Sequence, residues 1–228
     1  MERFYSVAID GPGGAGKSTI ARLAAKRYGF VYVDTGAIYR CVGLLALRLG
    51  TDKTDQKAVQ TLLSRVSLQV GHDASGTQRM LLNGEDVTDQ IRTPEVSRAA
   101  SDFSALPEVR TFLLSMQRDF ASRYSVIMDG RDIGTVVLPN ADLKIFLTAS
   151  PEARARRRYD ELREKGMDVS YEKVLQELID RDTQDTNRKT APLRQAEDAV
   201  RLDTSGCTLE ESIALVCSLM EEKLGLNR

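Results

Sequence analysis

The chain predicts an α/β fold, a parallel sheet flanked by helices with a small antiparallel β insert, and two observations carry that expectation. Short apolar, β-branched runs alternate with helical patterns along most of the 228 residues, the arrangement that builds a parallel sheet wrapped by helices. Between Ser67 and Asn83 the pattern changes to alternation around a polar turn, which reads as a small antiparallel hairpin. At roughly 150 residues per domain the length fits one unit with an insertion. The composition, 42% hydrophobic and 29% charged, is that of an ordinary folded domain and excludes disordered and collagen-like chains.

The elements follow in order. Phe4 to Ile9 reads as a buried strand, and it enters a glycine-rich stretch and then a helix ending near Tyr28-Gly29. Phe30 to Val33 is the next strand, and Gly36 to Leu49 and Gln56 to Leu63 carry helical periodicity. The hairpin pairs SLQV with RMLLN across GHDASGT, which places His72 in a surface turn. Helices are expected over Pro94 to Ala100 and Glu108 to Tyr124, then a strand from Val126 to Met128 ending in Asp129, and a strand from Leu143 to Leu147. Ser150-Pro151 is a strong helix start, with serine as N-cap and proline at the first helical position. The arginine-rich stretch Ala153 to Asp185 is helical with a break at Lys165-Gly166. A strand around Ala199 to Leu202 and a helix opened by a Thr208/Glu211 capping box complete the chain.

Several function classes drop out. Apolar stretches are too short and too interrupted for a membrane helix, and the first ten residues lack a cleavage site, so cytoplasm is the expected address. Cys41, Cys207 and Cys217 form no C-x-x-C pair and His72 is the sole histidine, too few ligands for structural zinc. A net charge of −1 gives no electrostatic footprint for nucleic acid.

Gly11-Pro12-Gly13-Gly14-Ala15-Gly16-Lys17-Ser18 matches G-x-x-x-x-G-K-[ST], and it lies between a strand and a helix as a P-loop must. Inward backbone N–H groups and the helix N-terminus cradle phosphate, Lys17 reaches the outer phosphates and Ser18 can ligate Mg²⁺. Asp129 at a strand end reads either as the carboxylate that holds Mg²⁺ through water or as a plain strand-terminal aspartate. The GTPase motif N-K-x-D is missing, which leaves small-molecule phosphoryl transfer as the leading class. Arg40, Arg92, Arg110, Arg131, Arg181 and Arg188 occur where a second anion would need a clamp, since the planar guanidinium donates two hydrogen bonds at once. Arg131 and Arg188 lie in loop-like positions, where α/β sites are built. The run Arg154, Arg156, Arg157, Arg158 divides between a ligand face and a solvated face.

At these residues the sequence resembles the bacterial cytidylate kinases over nearly its whole length. GPGGAGKST, DTGAIYR, IRTPEVSRAAS, MDGRDIGTVVLPNADLKIFL and RD-x-x-D-x-x-R-x-x-AP carry the resemblance. It implies a single nucleoside-monophosphate kinase domain over residues 1–228, with a P-loop NTPase core of about 1–34, 102–150 and 195–228. It also implies a monophosphate-binding region over 35–101 with a β insert at about 63–91, and a helical lid at about 153–166. The implied reaction takes the γ-phosphate of MgATP to CMP or dCMP. By the same resemblance Gly11 through Thr19 hold ATP, and Arg40, Arg131 and Arg188 clamp the CMP phosphate. Ser101, Arg110 and Asp132 read cytosine, and Arg181 and Asp185 contact the sugar. Thr35 stands where some relatives carry serine, its hydroxyl kept and a methyl added.

Chemistry supports that pocket independently. Cytosine presents an exocyclic amino donor together with acceptors at N3 and O2, so a carboxylate such as Asp132 belongs at one end and donors such as Arg110 and Ser101 at the other. UMP would set an oxygen against the carboxylate, a mismatch of about 1–3 kcal/mol. The acceptor phosphate is largely dianionic at neutral pH, so no general base is required. Catalysis is expected from Lys17, Mg²⁺, Arg131, Arg188 and lid arginines, with Arg154 and Arg158 favoured by their i,i+4 spacing. The competing expectations are a kinase for another small acceptor such as UMP, and an ATP-binding regulatory or RNA-binding module. A monomer without nucleic-acid or membrane partners is the default.

Overall fold

The computed structural model describes residues 3–73 and 76–226. β1 (Ser6–Asp10) feeds the glycine loop and α1 (Lys17–Tyr28), and β2 (Val31–Asp34) passes directly into α2 (Thr35–Leu49). α3 (Gln56–Ser64) leads to three short strands, β3 (Leu68–His72), β4 (Gln78–Leu82) and β5 (Glu85–Asp86). A 3₁₀ turn at Gln90–Arg92 precedes α4 (Pro94–Ser104), α5 (Pro107–Arg123) and β6 (Val126–Gly130). A π-helical turn over Ile133–Val137 is followed by β7 (Leu143–Thr148), α6 (Pro151–Glu164), α7 (Tyr171–Asn187), β8 (Val200–Asp203) and α8 (Leu209–Leu224).

The main sheet has the order β2-β6-β1-β7-β8 with parallel pairing throughout. Its period-2 alternation divides the core between two faces. Ala8, Val33, Val126 and Met128 point to the side packed by α2, α4 and α5, while Val7, Ile9, Ile127, Leu143 and Ile145 point to the side packed by α1 and α8. Burial on both faces explains why these strands read as continuous apolar runs. Among the described residues no helix is long and apolar enough to cross a membrane.

Local chemistry sets the helix ends. Asp34 caps α2 by accepting from Ala37 N at 2.9 Å, so the helix begins at Thr35, one residue before the expected Gly36. Ser150 caps α6 with Pro151 in its first turn, and Thr208 and Glu211 form the reciprocal capping box of α8, both as read from the sequence. Thr93 caps α4, which runs on to Ser104 rather than ending at Ala100. Gly166, at φ 73°, ends the arginine-rich helix where the break was expected.

The insert departs from the sequence reading in two respects. It has a third strand, since β5 pairs with β4 through Leu81–Asp86 and Leu82–Glu85. His72 is the last residue of β3 instead of a turn residue, and its Nε2 donates to the Tyr32 carbonyl at 2.8 Å, which docks the insert on the edge of the main sheet. Beside it the buried Gln78 side chain accepts from Asp34 N at 2.8 Å. An amide side chain thus takes the place of a neighbouring strand at the free edge of β2. Ala74 and Ser75 of the expected hairpin turn lie outside the described residues.

Candidate active site

One cleft at the C-terminal ends of β1, β2 and β6 brings together Gly13, Gly14, Lys17 and Ser18 with Thr35, Arg40, Ser101, Arg110, Asp129, Arg131, Asp132, Arg181, Asp185 and Arg188. These residues come from six elements and the loops between them, so the sheet's strand order is what assembles the site. The loop geometry depends on glycine at Gly11, with φ at 150°, where a Cβ would stand 1.9 Å from the Leu147 carbonyl oxygen. Gly14 and Gly16, at φ 74° and 86°, complete the curl into α1. Pro12 offers its carbonyl to Lys17 Nζ at 2.7 Å, Ala15 is buried beneath the loop, and Thr19 is exposed in the first turn of α1 outside the cleft lining.

Beside the loop, Asp129 accepts from Ser18 Oγ and from the Tyr32 hydroxyl, each at 2.8 Å. Burial raises the Asp129 carboxyl above its usual range, and the nearby Asp34 adds to the shift. Burial also lowers Lys17 to about 7, with Arg131 acting in the same direction. A hydroxyl and a carboxylate held together are hard oxygen donors, and they fit Mg²⁺, which typically takes one or two protein ligands and keeps waters and phosphate oxygens for the rest.

The opposite wall is a lattice of arginines and aspartates. Arg131 Nε donates to Asp185 at 2.7 Å; burial opposes its charge, but Asp185 together with Asp129 and Asp182 prevails and keeps the guanidinium firmly charged. Arg110 pairs directly with Asp132, so carboxylate and donor stand side by side rather than at opposite ends of the pocket as expected, and Arg110 also donates to the Ser104 carbonyl at 3.1 Å and lies 5.4 Å from the centre of the Tyr39 ring. Arg188 Nε donates to the Ala191 carbonyl at 2.5 Å, and its Nη2 stands 3.5 Å from Asp132 Oδ1. Burial lowers Arg181 to about 10, helped by Arg131, and lowers Arg188 as well, helped by Arg110. Among the described residues Arg40 Nη1, Arg181 Nε and Arg188 Nη2 are buried without hydrogen-bond partners. Two of the three keep only long ion pairs, Arg40 with Asp34 at 3.8 Å and Arg188 with Asp132 at 3.5 Å, so their hydrogen-bonding capacity is free for a bound anion.

Two sequence-predicted residues occupy other places. Arg154 is buried, donating from Nη1 to the Gly13 carbonyl at 2.9 Å and pairing with Asp182 at 2.6 Å, so it braces the P-loop from behind and outside the cleft lining. Arg158 is exposed and pairs with Glu161 at 2.8 Å; the i,i+4 spacing does not carry both arginines into the cleft. The Thr35 hydroxyl donates to the Asp129 carbonyl at 2.7 Å and so ties β2 to β6.

The sequence reading missed Asp10, Tyr32, Asp34, Tyr39 and Ser104. Asp34 pairs with Arg92 at 3.0 Å and with Arg40 at 3.8 Å; burial opposes its ionisation, but the two arginines and the Ala37 N–H prevail and hold its pKa low. Its capping position, directly before DTGAIYR's helix, was the available signal. Asp10 accepts from Ile133 N and Gly134 N, each at 2.7 Å, and burial raises it to about 6 against their pull.

A phosphate-cradling loop facing a second, arginine-lined cleft on a parallel sheet marks a P-loop phosphotransferase acting on a small anionic acceptor. The sequence profile of the cytidylate kinases matches residues 7–222, and the chain belongs to that family. It is 49% identical to the cytidylate kinase of Carboxydothermus hydrogenoformans, over 95% of this chain and 97% of that protein. It is 50% identical to the cytidylate kinase of Caldicellulosiruptor bescii, over 94% of each. In fold alone it is similar to an uncharacterised crystallised protein of Eubacterium ventriosum, with a TM-score of 0.51 and 11% identity over 96% of this chain and 99% of that one.

Proposed function

We propose that the protein transfers the γ-phosphoryl group of MgATP to CMP or dCMP, giving ADP and CDP or dCDP. The observation that carries this reading is the set of buried guanidinium nitrogens without hydrogen bonds on Arg40, Arg181 and Arg188, which share a cleft with Lys17 and Ser18. A nucleoside monophosphate with its phosphate toward the P-loop satisfies them. Arg40, Arg131 and Arg188 clamp that phosphate, Arg181 and Asp185 contact the sugar, and Ser101, Arg110 and Asp132 read the base.

Gly11 through Thr19 bind the ATP phosphates, Lys17 neutralises the transferring group, and Ser18 with Asp129, through water, holds Mg²⁺. When bound, Mg²⁺ supplies charge neutralisation across the outer phosphates. The protein's own share is alignment: the arginine wall presents an oxygen of the dianionic acceptor phosphate in line with the γ-phosphate, so proton abstraction is not needed. Residues 35–101 form the monophosphate-binding region and 153–166 the lid. Arg154 steadies the loop carrying the phosphates, and Arg158 reaches them only through lid closure, which would also exclude water. A monomer in the cytoplasm, where ATP and CMP are available, completes the reading.

Chromatographic analysis of products tests it. With MgATP and CMP, equal amounts of CDP and ADP are expected, and chelation of the metal should abolish both. ADP without CDP would remove the acceptor assignments and leave the P-loop as a nucleotide site.

A further inference from the structure

Asp10 stands outside every role given above, yet the residue is only 4% exposed and both of its carboxylate oxygens are engaged. It ends β1, the central strand, and pairs by register with Gly130 at the end of β6. Its side chain reaches past that pair to accept the backbone N–H groups of Ile133 and Gly134, each at 2.7 Å. Only Arg131 and Asp132 lie between the two anchors, so one residue holds both feet of a two-residue arch.

The arch leads straight into the π turn, where the Asp132 carbonyl accepts from Val137 N at 3.2 Å as well as from Val136 N at 2.9 Å. The arch is also tight, since a Cβ on Gly130 would stand 2.7 Å from Ile133 Cδ1. From its two residues Arg131 projects toward Asp185 and Asp132 toward Arg110 and Arg188. We infer that Asp10 is a positioning residue for the acceptor, fixing the phosphate clamp Arg131 and the base reader Asp132 through the backbone that joins them. Only a side chain with two acceptors and no donor fits, because asparagine would turn an amino group toward one N–H and glutamate is a methylene too long.

The inference rests on the acceptor reading above, and wild-type kinetics separate the two. If wild-type protein fails to favour CMP over UMP, the acceptor reading itself is wrong and the inference falls with it. If wild type favours CMP, Asp10→Asn should raise the KM for CMP about tenfold, the scale of one unsatisfied buried donor, and shrink the CMP-over-UMP preference several-fold. The KM for ATP should rise by less than the KM for CMP, the residual effect coming from the charge interaction of Asp10 with Lys17. Asp10→Ala, which removes both acceptors, should exceed Asp10→Asn on the CMP terms. A purely structural cap would lower the melting temperature while leaving the CMP-to-UMP ratio intact, and that result, or an equal rise in KM for ATP and CMP, overturns the inference. Hydrogen exchange on the unmodified protein needs no variant to fold. The amides of Ile133 and Gly134 should be strongly protected, and exchange at the rate of an open loop would contradict the arch directly.

Discussion

Adding one methyl group at Gly43 tests how closely the two helices that carry Arg40 and Ser101 are packed. Gly43 lies in the middle of α2, and a Cβ there would stand 2.7 Å from Ala100 N, 3.1 Å from Ala100 Cα and 3.2 Å from the Ala99 carbonyl carbon. These are backbone atoms of α4 that cannot rotate away, so α4 must retreat by several tenths of an ångström to restore contacts near 3.4 Å. Overpacking of this kind costs about 1–3 kcal/mol, and replacing a mid-helix glycine with alanine returns about 0.5–1 kcal/mol. The net destabilisation of Gly43→Ala is therefore about 0–2.5 kcal/mol, a fall in melting temperature of up to about 10 °C for a chain of this size. Because Ser101 follows Ala100 on α4, the KM for CMP should rise several-fold while the KM for ATP holds. Thermal melts and steady-state kinetics on one preparation measure both. A higher melting temperature with an unchanged CMP KM would refute the close packing of α2 on α4.

Other perturbations separate the two halves of the cleft. Arg188→Ala should raise the KM for CMP and cut turnover by at least about tenfold, the cost of losing a charge-assisted hydrogen bond to phosphate, with fluorescent ATP-analogue binding near normal. Asp132→Ala should narrow the preference for CMP over UMP, and an undiminished preference in competition assays would remove Asp132 from base reading. Lys17, lowered to about 7 in the free protein, is mostly neutral at pH 8 and should bind a proton when polyphosphate arrives. Calorimetry in buffers of different ionisation enthalpy should show proton uptake on ATP binding at pH 8, and an affinity that falls as pH rises above about 7; proton release would contradict the burial of Lys17.

What the sequence revealed was what local chemistry decides. The P-loop declares itself because glycine, lysine and serine are required at fixed offsets between a strand and a helix, and the Ser150 and Thr208 caps are settled within four residues. The rest depends on partners distant in sequence. Asp10 finds Ile133 N at a separation of 123 residues, and His72 meets Tyr32 across 40, so neither the π turn nor the docked insert leaves a periodic trace. β5 has two residues, too few for alternation to register. Arg154 and Arg158 share a helix stripe by spacing, but Asp182 on α7 captures the first and Glu161 on α6 the second. Tyr39 sits in the helical stretch Gly36 to Leu49, and only the tertiary fold lays its ring beside Arg110.

The most direct test of the central claim is the acceptor specificity of the wild-type protein. ADP release from MgATP, followed in a coupled assay with CMP, dCMP, UMP, AMP, GMP or no acceptor, should show rapid turnover confined to CMP and dCMP. Turnover that ignores the acceptor, or that favours UMP, would contradict a cleft in which Asp132, Arg110 and Ser101 read cytosine opposite the P-loop.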